Sequence, residues 1–558
     1  MKMKSILSII SVGLVAAGLF SCDKDLLNVV PTDRISDDPI ITDSSLFEDF
    51  VINRYMGVRL QDKEAEGTPP GFGRGFEYAL WATLTDEAIY NNDDNTWVIQ
   101  RGQLAPENTG IAGTIWSRSY RSIRECNYGL DKIDEVDMSA VGKARLVAEL
   151  KFIRAFRYHD LIRNYGEVIL LGDKVYELGE DFTDAAIFEK SSIAEAIQYV
   201  VAQLDEAANG LPLTNDNQWE LGRATRGAAL ALKSRILLYA ASPLYNVGTW
   251  QDAADAASTV MGLGYGLHPD YSSLFLTPTS NEIIFERLYV RGARHVCLEI
   301  SNGPNGYGGW AGNTPLQNLV DAYEVIEDET TAVPFNWNNT DHAENLYENR
   351  DPRFYATILH NGASYRGREI ETFEPGGQDS KDGKDNWNTS KTGYYLRKFL
   401  DDNNPIDNPW DVAGTQPWIY IRYAEILLNY AEAQNEAVGP DESVYNAINL
   451  IRQRADMPDL PEDLSQDEMR DRIIRERQVE LAFEEHRFYD VRRWMIADET
   501  ENEPAYGISI TKDGDDLTYT RKVALDGRKF ETKHYWLPIP RAEIQSSGDK
   551  LIQNPEYN

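Results

Sequence analysis

The sequence predicts a mainly α-helical protein in which stacked helix–turn–helix pairs support a loop-rich half with short strands. Apolar residues recur with the 3.6-residue period of an amphipathic helix at 45–60, 112–134, 139–165, 191–208, 223–241, 250–262, 417–437, 441–454 and 466–496. Short links join many of these segments, which favours side-by-side packing of neighbours. Between about 263 and 416 the period disappears, and Gly, Asn, Pro and Asp dominate.

At the start of the chain, Lys2 and Lys4 precede an apolar run from Ile6 to Phe20, and Ser21-Cys22 closes it. That layout predicts a secretory signal over 1–21. The run is shorter than the roughly 20 apolar residues of a membrane span. Leu19-Phe20-Ser21-Cys22 resembles a lipobox, although Phe20 is bulkier than the usual occupant. Cleavage before Cys22, with lipid on its thiol and new amino group, is the expectation; the alternative is a plain signal cut nearby. Several acyl chains together anchor a protein stably where one does not. Residues 22–43, polar and carrying Pro31 and Pro39, read as a tether. A helical region over 44–262 and a second region over 263–558 then form one compact domain.

Within the helical region, 223–241 places alanines and large Leu or Ile on alternate turns, so partner helices can approach closely, and Ser242-Pro243 stops it. The arrangement is tetratricopeptide-like, without a clean 34-residue period. In the irregular stretch, Glu282–Leu288 and Tyr394–Phe399 read as strands and Glu348–Leu359 as a helix. Its wealth of Trp and Tyr argues against disorder.

Composition excludes several functions. Lys and Arg number 55 against 90 Asp and Glu, for a net charge of −35. Such a surface repels nucleic acid, and it disfavours a strongly acidic glycan unless a local basic pocket exists. Beyond Cys22 only Cys126 and Cys297 remain, both in apolar surroundings that favour buried free thiols. No HExxH, CxxC or GxxxxGK[ST] motif occurs, so neither a metal site nor a cofactor site is predicted. Gly71–Gly75 and Gly306–Gly309 read as flexible loops. Carboxylates are too numerous for any pair to be singled out as catalytic. On the 466–496 helix, Arg477 with Glu480 and Glu484 with Arg487 stand at i,i+3 and predict pairs along one surface, with Val479, Phe483 and Trp494 facing inward.

Six blocks stand out: GRATRGAALALKSRILLYAASPLYN at 222–246, GGWAGNTPLQNLVDAYE at 308–324, ENRDPRFYATILHNG at 348–362, IYIRYAEILLNYAEAQNE at 419–436, RERQVELAFEEHRFYDVRRW at 475–494 and YWLPIPRAEIQSSGDKLIQNPEYN at 535–558. They resemble the SusD/RagB family of outer-membrane nutrient-binding lipoproteins from Bacteroidetes. The family more often has a proline near Gly166–Leu170, a departure confined to one loop. The resemblance implies a SusD-like fold, capture of an oligosaccharide or polysaccharide, and a SusC-like TonB-dependent transporter as partner. It also implies display at the outer membrane, facing outward. Peptide capture and, less in keeping with the sequence, an exported glycan-degrading enzyme are the alternatives.

A sugar ring offers an apolar C–H face and a rim of hydroxyls, so its capture calls for flat aromatics flanked by amides or charged groups. Two segments supply both: 88–100, with Tyr90, Asn91, Asp93, Asn95 and Trp97, and 306–339, with Tyr307, Trp310, Asn313, Asn336 and Trp337. Tyr90, Trp97, Tyr307, Trp310, Asn313 and Trp337 are the predicted ligand contacts. Tyr365, Arg366 and Trp387 stand behind them. Trp residues between Gly and Asn in loops have few neighbours to bury them, which favours exposure. For the anchor, Cys22→Ala is expected to release the protein from the membrane fraction. Retention of the variant after a high-salt wash would overturn the lipoprotein expectation.

Overall fold

Short polar residues decide where the helices begin. The computed structural model describes residues 43–56, 80–93, 95–176, 180–215, 219–290, 297–406 and 414–557; the predicted signal, Cys22, the tether up to residue 42 and Gly71–Gly75 lie outside them. The main helices are α1 (Ser44–Asn53), α2 (Ile115–Lys132), α3 (Ala140–Tyr165), α4 (Ile193–Gly210), α5 (Arg226–Ala241), α6 (Trp250–Met261), α7 (Tyr423–Val438), α8 (Glu442–Arg454), α9 (Gln466–Glu480) and α10 (Arg487–Arg493). Side chains of Asp43, Ser139, Thr225, Thr249 and Asp441 accept from backbone N–H groups at the starts of α1, α3, α5, α6 and α8. Ser192 with Glu195 and Ser465 with Glu468 close capping boxes at α4 and α9.

Helices α2 to α6 pack each on the next in chain order, as tetratricopeptide-like pairs do. The array does not end at α6. Helix α7 packs on α6 and α5, and α8 and α9 pack on α7, so the chain leaves the array at about 262 and re-enters it at 423. The intervening excursion builds its own core around Tyr323, Phe354, Tyr394 and Trp418.

The strands are few and short: β1 (Ala88–Tyr90), β2 (Ile283–Arg287), β3 (Asn313–Pro315), β4 (Trp418–Arg422), β5 (Ala505–Asp513) and β6 (Asp516–Leu525), with minor two- to four-residue strands besides. They form antiparallel pairs β1–β3, β2–β4 and β5–β6.

Several predicted elements differ. The 45–60 helix ends at Asn53 and passes into a 3₁₀ turn to Met56. Residues 417–437 divide into β4 and α7, because the β-prone Trp418–Arg422 pairs with β2 before the helix begins. Pro352 and the Asp351 cap delay the 348–359 helix to Pro352–Thr357. Only Tyr395–Leu396 of the predicted 394–399 strand pairs, with Ile358–Leu359. The long β5–β6 hairpin was not predicted; its alternating Ile508 and Ile510 and its Gly514 turn carried the signal. Cys126 and Cys297 are free and buried, as expected.

The largest departure is at 466–496. The helix breaks after Glu480, and Phe483 and Glu485 adopt left-handed φ of 63° and 65°. Val479 and Phe483 are buried, whereas Trp494 is half-buried and donates to Glu432 at 2.7 Å. The predicted i,i+3 pairs do not form as drawn. Instead Arg477 pairs with Asp490, Arg487 with Asp86, and Glu484 with Arg422 and Lys398. Glu480 lies between Arg422 at 2.6 Å and Arg353 at 2.9 Å and also meets Arg454. Arg422 reaches Glu282 at 2.8 Å, and Arg353 reaches Asp351 at 2.8 Å and Glu476 at 2.5 Å. The charged side chains of this cluster are all buried.

Burial alone would raise the Glu480 carboxyl, but Arg454, Arg422 and Arg353 outweigh it and hold it well below the carboxylate range. Burial opposes Glu425 in the same way, and Arg235 at 2.6 Å leads the groups that bring it down to about 2. Removing one member of a buried pair strands its partners' charge, so Glu480→Gln is expected to cost about 3–5 kcal/mol in chemical denaturation. A depressed carboxylate stabilises the fold above its unfolded pKa of about 4.3, and that contribution fades as pH falls through the folded value. Stability is therefore expected to decline from about pH 5 towards pH 2, with a shallower decline in Glu480→Gln.

Candidate functional site

The β1–β3 pair sets Tyr90 opposite Asn313 and so joins the two predicted aromatic segments. Asn313 itself belongs to the frame. It is buried, its Oδ1 accepts from Leu80 N–H at 2.9 Å, and its Nδ2 donates to Asn302 Oδ1 at 2.8 Å. A side chain so enclosed holds the loops in place and does not present a surface to ligand.

Beyond β1 the chain turns through Asp93 and Asn95, with φ of 71° and 61°, values that Asp and Asn tolerate better than most residues. Asp93 Oδ1 accepts from the Trp97 N–H at 2.9 Å, and the indole Nε1 donates to Tyr90 O at 3.1 Å. The Arg101 guanidinium lies 4.9 Å and the Lys391 ammonium 5.2 Å from the Trp97 ring centroid. Trp97 was predicted to be exposed. It is half-buried, its N–H is satisfied and cations cover its ring, so it braces the site.

The second segment, expected as a flexible loop, is closely packed and hydrogen-bonded. Asn305–Tyr307 makes a 3₁₀ turn, and a Cβ on Gly309 would stand 2.1 Å from Gly303 O, so only glycine fits. The Tyr307 hydroxyl donates to Tyr365 O at 2.5 Å, and Arg368 sits 4.1 Å from its ring centroid. Trp310 donates its backbone N–H to Ile300 O at 2.6 Å, and Ala311 behind it is forced to a φ of 50°. The half-exposed Trp310 indole N–H has no hydrogen bond among the described residues.

Trp387, a secondary candidate on sequence, is the most exposed aromatic here at 73%. It rides on the turn Asn386–Asn388, and its loop is tied to both segments. Asn91 Nδ2 donates to Thr389 O at 3.1 Å and Asn91 Oδ1 accepts from Lys391 N–H at 3.0 Å. Asn305 Nδ2 donates to Lys384 O at 2.7 Å, and Arg368 clamps Asp379 at 2.6 and 2.9 Å. Tyr90, Trp97, Tyr307, Trp310 and Trp387 are thus carried by three mutually bonded loops. Trp387 stood in the same Asn-rich setting as the stronger candidates, and sequence held nothing to rank it first. Trp337 lies apart from these bonds: its indole donates to Asp321 at 2.9 Å, its ring meets Phe335 edge-on, and Arg521 lies beyond. Tyr365 is core, and Arg366 fastens the carbonyls of Asp401 and Asn404.

An exposed indole on a hydrogen-bonded loop can stack on a flat apolar face, and the surrounding Asn, Lys and Arg groups can bond to hydroxyls. That is the architecture of a binding protein whose site is built from loops on a helical array. Residues 281–557 match the model of the SusD family, and residues 77–238 match a model described as starch-binding, associating with the outer membrane. A solved SusD-like protein from Bacteroides fragilis is 30% identical, with a TM-score of 0.77 over 95% of this chain and 100% of its own. A SusD-like carbohydrate-binding protein from the same organism is 26% identical, with a TM-score of 0.74 over 92% of this chain and 99% of its own. SusD-like protein P2 of Formosa agariphila is 26% identical over 521 residues, covering 86% of this chain and 90% of P2. This chain belongs to the SusD family.

The two indoles are expected to respond differently to truncation. Trp97→Ala loses a half-buried hydrogen bond and packing and should cost about 2 kcal/mol of stability, whereas Trp387→Ala should change it by less than about 0.5 kcal/mol. Thermal unfolding of both variants checks this.

Proposed function

We propose that this protein captures a glycan on an aromatic platform formed by Trp387 and Trp310 and passes it to a SusC-like TonB-dependent transporter in the outer membrane. The observation that carries the reading is the 73% exposure of Trp387 on a loop fixed by hydrogen bonds. An indole held out on a fixed loop offers a flat apolar face, the surface on which the C–H face of a sugar ring can stack. The carbohydrate-binding relative and the family description support a sugar as that partner. The role is binding without catalysis, with the lipidated Cys22 as the membrane attachment and the site facing outward.

Capture is tested by affinity electrophoresis over a polysaccharide panel, with a peptide library and a reducing-sugar assay as controls. Retention by a polysaccharide without release of reducing ends is expected. Trp387→Ala or Trp310→Ala should weaken that retention by about 1–3 kcal/mol with Tm unchanged, by analogy with bases stacked on aromatics. Peptide retention alone would overturn the reading. A large β-barrel is expected to co-purify in mild detergent through an interface above about 1,000 Å². Isolation of the lipoprotein alone, where other membrane complexes survive, would overturn the transporter assignment.

A further inference from the structure

Beside the platform lies a feature that capture of a neutral sugar does not use. Between the β5–β6 hairpin and the loop 372–393 is a small cleft lined in part by Thr372, Glu374, Lys381, Thr389, Ser509 and Lys522. Its volume of about 20 Å³ seats a single small group and is far too small for a sugar ring.

The lining is cationic and rich in donors. The Lys522 ammonium makes no hydrogen bond or ion pair among the described residues. Burial and then the neighbouring Lys381 ammonium hold its own ammonium below the ordinary lysine range, against the opposite pull of Glu374. Lys381 has only a loose counter-ion in Glu374, at 3.6 Å. The Thr372 hydroxyl is buried with no hydrogen-bond partner among the described residues. Asp379 also lines the cleft but is spent on Arg368 at 2.6 Å. Two lysines set against one carboxylate reverse, locally, the sign of a chain whose net charge is −35. Their mutual repulsion and the desolvation of Lys522 are both relieved by an anion between them.

The cleft is also in the right place. Thr389 on its wall is two residues beyond Trp387, a reach of about 7 Å at most along the chain. We infer that the site prefers an acidic glycan, whose ring stacks on Trp387 while a carboxylate or sulfate substituent enters the cleft between Lys381 and Lys522. This rests on the glycan reading above and names the substrate class for it.

The test uses the full-length protein on a panel of uronate-containing and sulfated polysaccharides, each run beside its carboxyl-reduced or desulfated form. An acidic polysaccharide should be retained about tenfold more strongly than its neutral form, a difference of about 1.4 kcal/mol. Whether the uronate or the sulfate set shows the difference identifies the substituent. Lys522→Met and Lys381→Met should each bring acidic and neutral forms to within about twofold with Tm unchanged, while Trp387→Ala weakens both forms. Equal retention of acidic and neutral forms, or a preference that survives in both lysine variants, overturns the acidic-group inference and leaves glycan capture standing. Retention of no polysaccharide at all overturns capture, and this inference with it.

Discussion

Arg422 and Glu480 centre a buried ion cluster that bridges the helical array and the loop-rich half. Arg422 ends β4, immediately before α7, and Glu480 ends α9, so their contact fixes where the chain re-enters the helical array. Arg353 and Lys398 come from the loop-rich half and Glu282 from the entry to β2, and all three join the same cluster. Charges taken out of water hold a fold only if every partner is present and well aimed. The cluster therefore joins residues of both halves, and loss of one partner would strand buried charge on each.

That cluster reaches the binding face. Lys398 donates to Ala482 O and Glu484 just beyond the break in the predicted helix, and so ties the stretch that follows Tyr394 to the array. From there Tyr395 reaches Asn305 at 2.6 Å and Asp379 O at 2.7 Å, which steadies the loops bearing Trp310 and Trp387. Loops are usually the mobile part of a domain. Here side-chain amides of Asn91, Asn305 and Asn313 take over the satisfaction of backbone groups that a sheet would provide elsewhere. An aromatic ring presented on such a loop loses little freedom when it stacks, which favours affinity.

The aromatics of this face differ in their surroundings. Trp97 and Tyr307 are covered by Arg101, Lys391 and Arg368 and act as braces, while Trp310 and Trp387 keep surface open to solvent. The lysine-lined cleft sets positive charge beside these aromatics, whose faces by themselves carry none.

The sequence by itself determined the helical array, the irregular excursion and the family, because the 3.6-residue period, the alanine-rich helix at 223–241 and the C-terminal blocks are local patterns. Its clusters of Asn, Gly and Trp also marked two segments, 88–100 and 306–339, which the β1–β3 pair joins. Tertiary structure decided the rest. Whether Trp97 is a platform or a brace depends on Arg101 and on Lys391, a residue some 290 positions away, and whether Asn313 meets ligand depends on Asn302 and Leu80. The helix at 466–496 breaks after Glu480, where the cluster built from Arg422, Arg353 and Lys398 gathers Glu480 and Glu484. Pairing between distant charges and exposure of a given ring are properties of the packed chain, and no local pattern encodes which partner arrives.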